Sequence, residues 1–538
     1  VAGAAADDGN DGWTPARSVA GKRNPWSIVA VISIATFMTV LDTSIANVAL
    51  DHIAGGLAVS YDQATWVTTS FLVATAIIIP ISGWLADVIG RKRYYMISVA
   101  LFTVASFLCG IAPNLTFLVI ARLIQGAAGG GLASAEQSML VDTFPPKQRG
   151  LAFAAYGIVV IVGPVVGPVI GGLITDNASW HWCFLINVPI GVLSLFLVNT
   201  FVDEPKALID ERKKLLKGGL KVDVMGFVLV ALFLGLLEVT LDRGQREDWF
   251  SSPFITFSAL ISAFSLMLFI PWELTRKDPI VPIAMFGQRN FGIASIFLLI
   301  TGVIIFGSTQ FIPQLLQQVI GYTATDAGLA LTAGGVATLL VMPLTGILSG
   351  KVDARLLIGF AFLIQGLALW NMSHLDTQLS FASAATARMW QSIGLPFLFV
   401  PITTIAYVGL KPSQSNQASA LMNVARNLGG TIGISSVQTM LAQRSQFHQA
   451  RLVETLSPLN PNYTNGLKTN GQVLQGLGQS QADSTLQATA LLYRSIGKQA
   501  QMLSYVEVFH VLMIVVFAAI PLLFLMKGTT GGQSGGAP

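Results

Sequence analysis

Fourteen apolar runs, each long enough to cross about 30 Å of hydrocarbon, divide this chain almost from end to end. They fall at 26–50, 63–85, 94–112, 115–137, 150–174, 182–201, 224–241, 253–271, 291–316, 326–349, 355–373, 382–407, 418–443 and 503–525. Lipid offers the backbone no hydrogen-bond partner, so a single spanning segment of this kind must be helical. The predicted fold class is an all-α membrane protein with 14 transmembrane helices. Charge usage agrees: 11% of the 538 residues are charged, against about 25% in soluble domains.

An even number of spans places both ends of the chain on one side. With the N-terminus inside, the inside segments carry 21 Lys and Arg, including Arg17, Lys22 and Arg23, Arg91–Arg93, and six between Lys206 and Lys221. The six short outside loops carry two, Arg243 and Arg246. This bias predicts cytoplasmic termini. The organisation that follows is a polar tail at 1–25, six helices at 26–201, a linker at 202–223, an inserted helix pair at 224–271, a second linker at 272–290, six helices at 291–525, and a flexible tail at 526–538. Residues 1–24 show no signal-peptide pattern of basic, short apolar and small-residue regions. Two similar halves around an insertion match the internal duplication of secondary transporters. A faint repeat supports it, since Gly83–Arg93 after the second span and Gly346–Arg355 after the tenth share a glycine-then-basic profile.

Two polar stretches stand apart. Residues 203–223 are charged, with Leu208, Leu215 and Leu216 at helical spacing, and fit either a basic helix on the membrane surface or a solvated linker. Residues 444–502 form an outside insertion rich in Gln, Asn and Ser, whose flanks 444–456 and 480–502 read as helices. So long a polar insertion in a tight membrane protein suits contact with a partner or control of the outer mouth.

Ionisable groups inside spans cost roughly 2.5–3.5 kcal/mol each at a helix centre, so each needs a reason. Asp42 lies well inside the first span, and a carboxyl deprived of water suits proton exchange near neutral pH. The other reading of Asp42 is a hydrogen bond between helices. Arg122, on the fourth span, can hold a carboxylate or form a structural ion pair. Glu136 closes the same span, where snorkelling to water is expected, and Glu238 reads as an outer cap of the seventh. Asp42, Arg122 and Glu136 are the proton-coupling candidates. Asn47, Gln125, Gln391, Asn423 and Arg426 are the polar groups expected to line a central cavity.

The fifth span reads Gly157-Ile-Val-Val-Ile-Val-Gly163-Pro164-Val-Val-Gly167-Pro168-Val-Ile-Gly171-Gly172. Gly163, Gly167 and Gly171 recur every four residues and make one smooth strip for close helix contact. Pro164 and Pro168 remove backbone donors and favour a bend. Such a helix suits a surface on which two halves rock. At the inside end of the second span, Gly83, Asp87, Gly90 and Arg91 form a pattern in which Asp87 can pair with basic groups of its own loop or a facing helix, as a breakable latch.

Taken together, these residues resemble the major facilitator superfamily, and more narrowly its fourteen-helix drug:proton antiporters of the EmrB/QacA type, on the EmrB side of that group. Gly83–Arg93 is similar to the superfamily's loop signature, Ala121–Gly126 to its fourth-helix signature, Gly157–Gly172 to the antiporter signature, and Leu41–Leu50 to the first-helix signature of the fourteen-helix group. Phe184–Gly191, Leu241–Gly244, Gly321–Gly328 and Leu459–Asn462 also resemble the EmrB side. Two positions depart from the pattern: Asp51 stands where proline is expected, and the second-half loop has no acid matching Asp87.

The resemblance implies two six-helix bundles plus an inserted helix pair. It also implies proton-driven export of hydrophobic or amphipathic toxic compounds across a bacterial inner membrane, with an EmrA-type periplasmic adaptor and an outer-membrane channel as partners. No cofactor is expected, because the proton gradient supplies the drive and no Walker motif is present. Cys109 and Cys183 read as packing residues, and the five histidines show no metal-ligand spacing. The chain lacks the interfacial cluster of His, Asp or Glu that a membrane enzyme would need. A symporter or dedicated metabolite exporter is the alternative within transport, and a scaffold built on 444–502 the alternative outside it.

Overall fold

The computed structural model describes residues 15–21, 23–217, 222–276, 279–454, 456–457 and 460–527. The expected tails at 1–14 and 528–538, with Lys22, Lys221, Lys277, Pro458 and Leu459, lie outside the described residues.

Helix starts follow from local chemistry. Asn24 Oδ1 accepts from Trp26 N at 3.0 Å and Pro25 fills the first position of α1 (Pro25–Val48). Two short turns lead into α2 (Trp66–Ile89), which stops at Gly90, where φ is +98° and a side chain would be strained. After α3 (Arg91–Gly110), Asn114 caps α4 (Leu115–Gly129) by accepting from Phe117 N at 2.9 Å. The fourth span was expected as one helix over 115–137. Instead Gly130 and Gly131 interrupt it, and α5 (Leu132–Thr143) follows as a separate helix. Gly131 leaves room for Tyr94 and Ser82 to press against the break.

The first half closes with α6 (Pro146–Asn177) and α7 (Asn187–Phe201), and α8 (Lys206–Lys217) forms the linker helix. The inserted pair is α9 (Val224–Arg243) and α10 (Pro253–Thr275). The second half runs through α11 (Arg289–Gln314), α12 (Ala324–Ser349), α13 (Ala354–Met372), α14 (Phe381–Ala406) and α15 (Ser415–Val453). It ends with α16 (Pro461–Gly476) and α17 (Gln481–Ala519). There is no strand among the described residues.

Thirteen described helical stretches, with Leu115–Thr143 and Trp182–Phe201 each taken as one, are long and apolar enough to cross a membrane. The fourteenth expected span, 418–443, falls within α15, which is too polar to meet that measure by composition. Its polar positions are covered by protein rather than lipid: Ser419, Asn423, Gly429, Gly430 and Gly433 are buried. The glycines bring it against α11, where a Cβ on Gly433 would sit 2.7 Å from Val303 Cα. The same rule marks α10, which turns Phe257, Phe264 and Met267 outward and buries Ser258, Ser262 and Ser265. There Ser262 Oγ donates to Phe233 O on α9 at 2.8 Å. Small and polar residues inside, large apolar ones outside, is the packing logic of a lipid-solvated bundle.

The two six-helix bundles meet along two seams, α2 against α15 and α6 against α12. The inserted helix α9 packs on α2 and also touches α15, so it lies over the first seam. Residues 444–502 are not an independent loop. α15 continues unbroken to Val453, α17 begins at Gln481, and α16 packs back on α17. The linker helix α8 is docked, not solvated: Leu208 is buried, and Arg212 Nη1 donates to Ile89 O at 3.0 Å.

Candidate functional site

The charged groups of the first half sort into two environments. In the first, Asp42 of α1 meets Arg122 of α4 at 2.5 Å between Oδ2 and Nη1, with both side chains fully shielded. Arg122 Nη1 also donates to Gln125 Oε1 at 2.7 Å, and its Nε to Val67 O at 3.1 Å. The other carboxylate oxygen accepts from Gln125 Nε2 at 2.9 Å and Asn187 Nδ2 at 2.7 Å. Ser106 closes the ring by accepting from Gln125 Nε2 at 2.6 Å. Phe71 lies under the guanidinium, 4.2 Å from its centroid. Every partner of Asp42 is a donor, which suits a carboxylate and leaves an acid proton with no acceptor. The helix–helix bonding of Asp42 therefore involves Arg122, Gln125 and Asn187.

In the second environment, Glu136 stands on α5 with no exposed surface. It does not snorkel to water, contrary to expectation, because α5 is packed on all sides against α1, α2, α3, α6 and α15. Thr36 Oγ1 of α1 donates to Glu136 Oε2, and Tyr156 OH of α6 lies 3.1 Å from Thr36 Oγ1. Tyr95 of α3 also faces the carboxyl. Among the described residues Glu136 is in no ion pair. Its neighbours are hydroxyls, which can donate or accept.

Beside Glu136, Gln137 faces the other half. Asn423 Nδ2 of α15 donates to Gln137 Oε1 at 3.0 Å, and Arg426 Nη2 donates to Asn423 Oδ1 at 2.7 Å. Gln137, Leu298, Phe399, Thr403, Met422, Asn423 and Arg426 line a small cavity between the halves. Arg426 also faces Tyr156.

The expected cavity residues thus separate. Asn423 and Arg426 line the cavity. Gln125 is locked in the Asp42 ring instead, and Asn47 sits exposed at the end of α1, accepting from Thr68 Oγ1 at 3.3 Å. Gln391 is buried within the second half, where it accepts from Arg388 Nη1 at 2.6 Å. Arg388 and Gln391 of α14 repeat the spacing and the bond of Arg122 and Gln125 of α4. That repeat was legible as Arg-x-x-Gln in both halves, and sequence reasoning passed over it.

At the basic end the halves are latched. Asp87 accepts from Asn416 Nδ2 of α15, and Arg91 pairs with Asp142 and donates to Ser415 Oγ at 3.0 Å. The partner of Asp87 across the seam is therefore an amide, and the partner of Arg91 is an acid of its own half. A Cβ on Gly83 would lie 2.8 Å from Asn416 O. Gly90 is crossed by Arg212 and Glu204 of the linker region. Arg17, not singled out from the sequence, adds a third element by meeting Asp142, Glu211 and Pro412 O. On the other seam, a Cβ on Gly346 would lie 2.9 Å from Leu151 Cα, and one on Gly350 3.0 Å from Lys147 O.

The glycine strip faces a different partner from the one expected. Cβ atoms on Gly163 and Gly167 would press on Val40 and Ser44 of α1, and Gly171 faces Ile45 and Val48. The strip therefore packs α6 within its own half, and α6 continues as a helix through Pro164 and Pro168. Its contact with the second half comes earlier, at Gly150 and Gly157, which abut Ser349 and Met342 of α12. Glu238 is no outer cap: it is buried and accepts from Thr431 Oγ1 of α15 at 2.9 Å.

A family profile described as Major Facilitator Superfamily matches residues 32–434. The multidrug export protein EmrB of Escherichia coli K12 is 36% identical over 506 residues, covering 94% of this chain and 96% of that protein. The multidrug export protein EmrB of Haemophilus influenzae is 39% identical over 435 residues, covering 81% and 84% respectively. Among solved structures, the proton:xylose symporter XylE superposes with a TM-score of 0.56 at 15% identity, covering 89% of this chain and 98% of that one. This last likeness concerns the fold alone.

Proposed function

Since the chain belongs to the major facilitator superfamily, within its EmrB-type group of multidrug transporters, we propose that it exports hydrophobic and amphipathic toxic compounds by proton antiport through alternating access. A proton moving inward releases about 2.3 kcal/mol per 100 mV of membrane potential, besides any pH gradient. No cofactor enters this scheme. The basic end faces the cytoplasm of a bacterial inner membrane, and the α15–α17 hairpin faces the periplasm. There it meets an EmrA-type adaptor that leads to an outer-membrane channel. Closure of both seams at the basic end corresponds to a state shut toward the cytoplasm.

The observation that carries the coupling step is the contrast between the two buried acids. Asp42 is fixed by Arg122 and two amides, so it organises the first half. Glu136 sits beside the cavity between the halves among hydroxyls that serve either protonation state, so it is the proton carrier, and its charge state competes with substrate through the conformation of the halves. Asn423 and Arg426 with Phe399 and Met422 give the cavity few fixed polar groups and adaptable apolar walls, which suits loose selectivity.

Purified protein in liposomes, loaded with ethidium and given a pH gradient, tests the reading. Glu136→Gln should abolish gradient-driven flux while ethidium exchange down its own gradient continues. Asp42→Asn should keep driven flux in whatever fraction folds. Driven flux surviving in Glu136→Gln would sink the assignment.

A further inference from the structure

Glu136 has no exposed surface, so a proton needs a route to it from the cavity. Thr36 and Tyr156 are the hydroxyls that α1 and α6 bring to the carboxyl, and Tyr156 also interacts with it directly. Thr36 has a single hydroxyl proton, and it is directed at Glu136 Oε2. The 3.1 Å contact between Thr36 Oγ1 and Tyr156 OH must then be donated by the tyrosine. The two hydroxyls consequently point one way, from Tyr156 through Thr36 to the carboxyl. The far end of the chain is Tyr156, which faces Arg426, a residue of the cavity wall.

We propose that Tyr156 and Thr36 form a two-hydroxyl proton wire connecting Glu136 to the cavity between the halves; the proposal rests on the reading of Glu136 as carrier. In the loading direction, Tyr156 oxygen takes a proton from a hydronium ion in the cavity and passes its own proton to Thr36 Oγ1. Thr36 passes its own to Glu136 Oε2. The net change is one hydronium converted to water and one carboxylate converted to its acid. Both hydroxyls end with reversed orientation, and release runs the same chain backwards. Each hop makes one O–H bond and breaks another, so no other reactant is required.

The surroundings limit the alternatives. Around the carboxyl, α1 contributes Thr36, α3 contributes Tyr95 and α6 contributes Tyr156. The other neighbours of α5 are α2, α15 and the Pro15–Arg17 turn; Arg17 pairs with Asp142 at the far end of α5, and on the Glu136 side the charged group in the chain of contacts is Arg426, which faces Tyr156. Tyr95 is a dead end, because its hydroxyl proton is donated to Ile32 O at 2.8 Å. Thr36 and Tyr156 are positioned by different helices, α1 and α6, which the glycine strip holds close together. The strip thus acquires a role in keeping the wire continuous.

The test uses the full chain in proteoliposomes, comparing ethidium flux driven by an imposed pH gradient with gradient-free ethidium exchange. Tyr156→Phe and Thr36→Val should each lower driven flux by about 100-fold, the lower range for a lost proton-transfer group, with exchange retained. Thr36→Ser should restore driven flux. If Tyr156→Phe and Thr36→Val keep driven flux while Glu136→Gln loses it, the wire is wrong and the carrier reading stands. If Glu136→Gln keeps driven flux, the carrier reading falls and takes the wire with it. If Thr36→Ser fails as badly as Thr36→Val, or exchange disappears along with driven flux, Thr36 is a packing residue and the wire is overturned.

Discussion

Arg122 and Asp42 meet at 2.5 Å where neither side chain has any contact with solvent. Removing one member of such a pair leaves the other charged, buried and uncompensated, whereas removing both removes the problem along with the attraction.

Asp42→Asn and Arg122→Gln should each therefore destabilise the protein by about 3–5 kcal/mol, and the double variant should recover part of that loss. Thermal unfolding in detergent measures it. A double variant as unstable as the sum of the singles would show that Gln125 and Asn187 couple the two residues less tightly than the geometry implies.

The glycine strip predicts a position-by-position contrast along α6. At Gly167 a Cβ would lie 2.5 Å from Ser44 Cβ, whereas Gly172 has nothing within 4 Å. Gly167→Leu should cost about 1–3 kcal/mol by overpacking and slow transport, while Gly172→Leu should be nearly silent in both melting and flux. Equal effects at the two sites would mean that packing on α1 is not what the strip is for.

At the basic end, Gly83→Val forces a side chain into Asn416 and Gln417 of the opposite half. A strain of about 1–3 kcal/mol shifts the closed-to-open ratio by roughly 5- to 150-fold. A cysteine placed at buried Ser419 should then label faster with a membrane-impermeant maleimide in inside-out vesicles. Unchanged labelling would place the closure elsewhere.

The inserted helix α9 is tied to α2 and to the turn that precedes it by several polar contacts. Thr69 donates to Asp242, and Arg243 Nη1 donates to Thr65 Oγ1 at 2.9 Å and Asp62 O at 3.2 Å. Its tie to α15 is the Glu238–Thr431 bond. Thr431→Val should cost about 0.5–1.5 kcal/mol and loosen α9 from α15 alone. Cysteine cross-linking should fall for the α9–α15 pair and persist for α9–α2; a fall in both would show that the pair does not ride with the first half.

Much of the architecture was legible because lipid simplifies the problem. A span must be helical, and apolar length marks it even where the packing partner is unknown. The same reading included 418–443 among the apolar runs, although that segment is too polar to stand out by composition alone. It failed at Gly130–Gly131, where the apolar run continues through a break made by backbone freedom; at 444–502 the flanks expected as helices are helical, and what apolar length did not show is that they continue α15 and α17 without a break.

For the candidate site, residue types were readable and pairings were not. Asp42, Arg122, Glu136, Asn423 and Arg426 each stood out because charge and amide groups are costly in lipid. Thr36 and Tyr156 did not, because a hydroxyl inside a span carries no comparable penalty and is common in ordinary helix contacts.

By itself the sequence determined the helical class, the two halves with an insertion, the asymmetry of basic residues between the two ends, and the short roster of intramembrane charges, because each follows from the cost of exposing polar groups to hydrocarbon. Only the tertiary structure decided which acid meets a cation and which meets hydroxyls. Asp42 and Arg122 are 80 residues apart and Glu136 and Thr36 100 apart, and such contacts depend on how helices from distant parts of the chain rotate and settle against one another. The same is true of the glycine strip: its smoothness was written in the sequence, but that it receives α1 of its own half was fixed by packing.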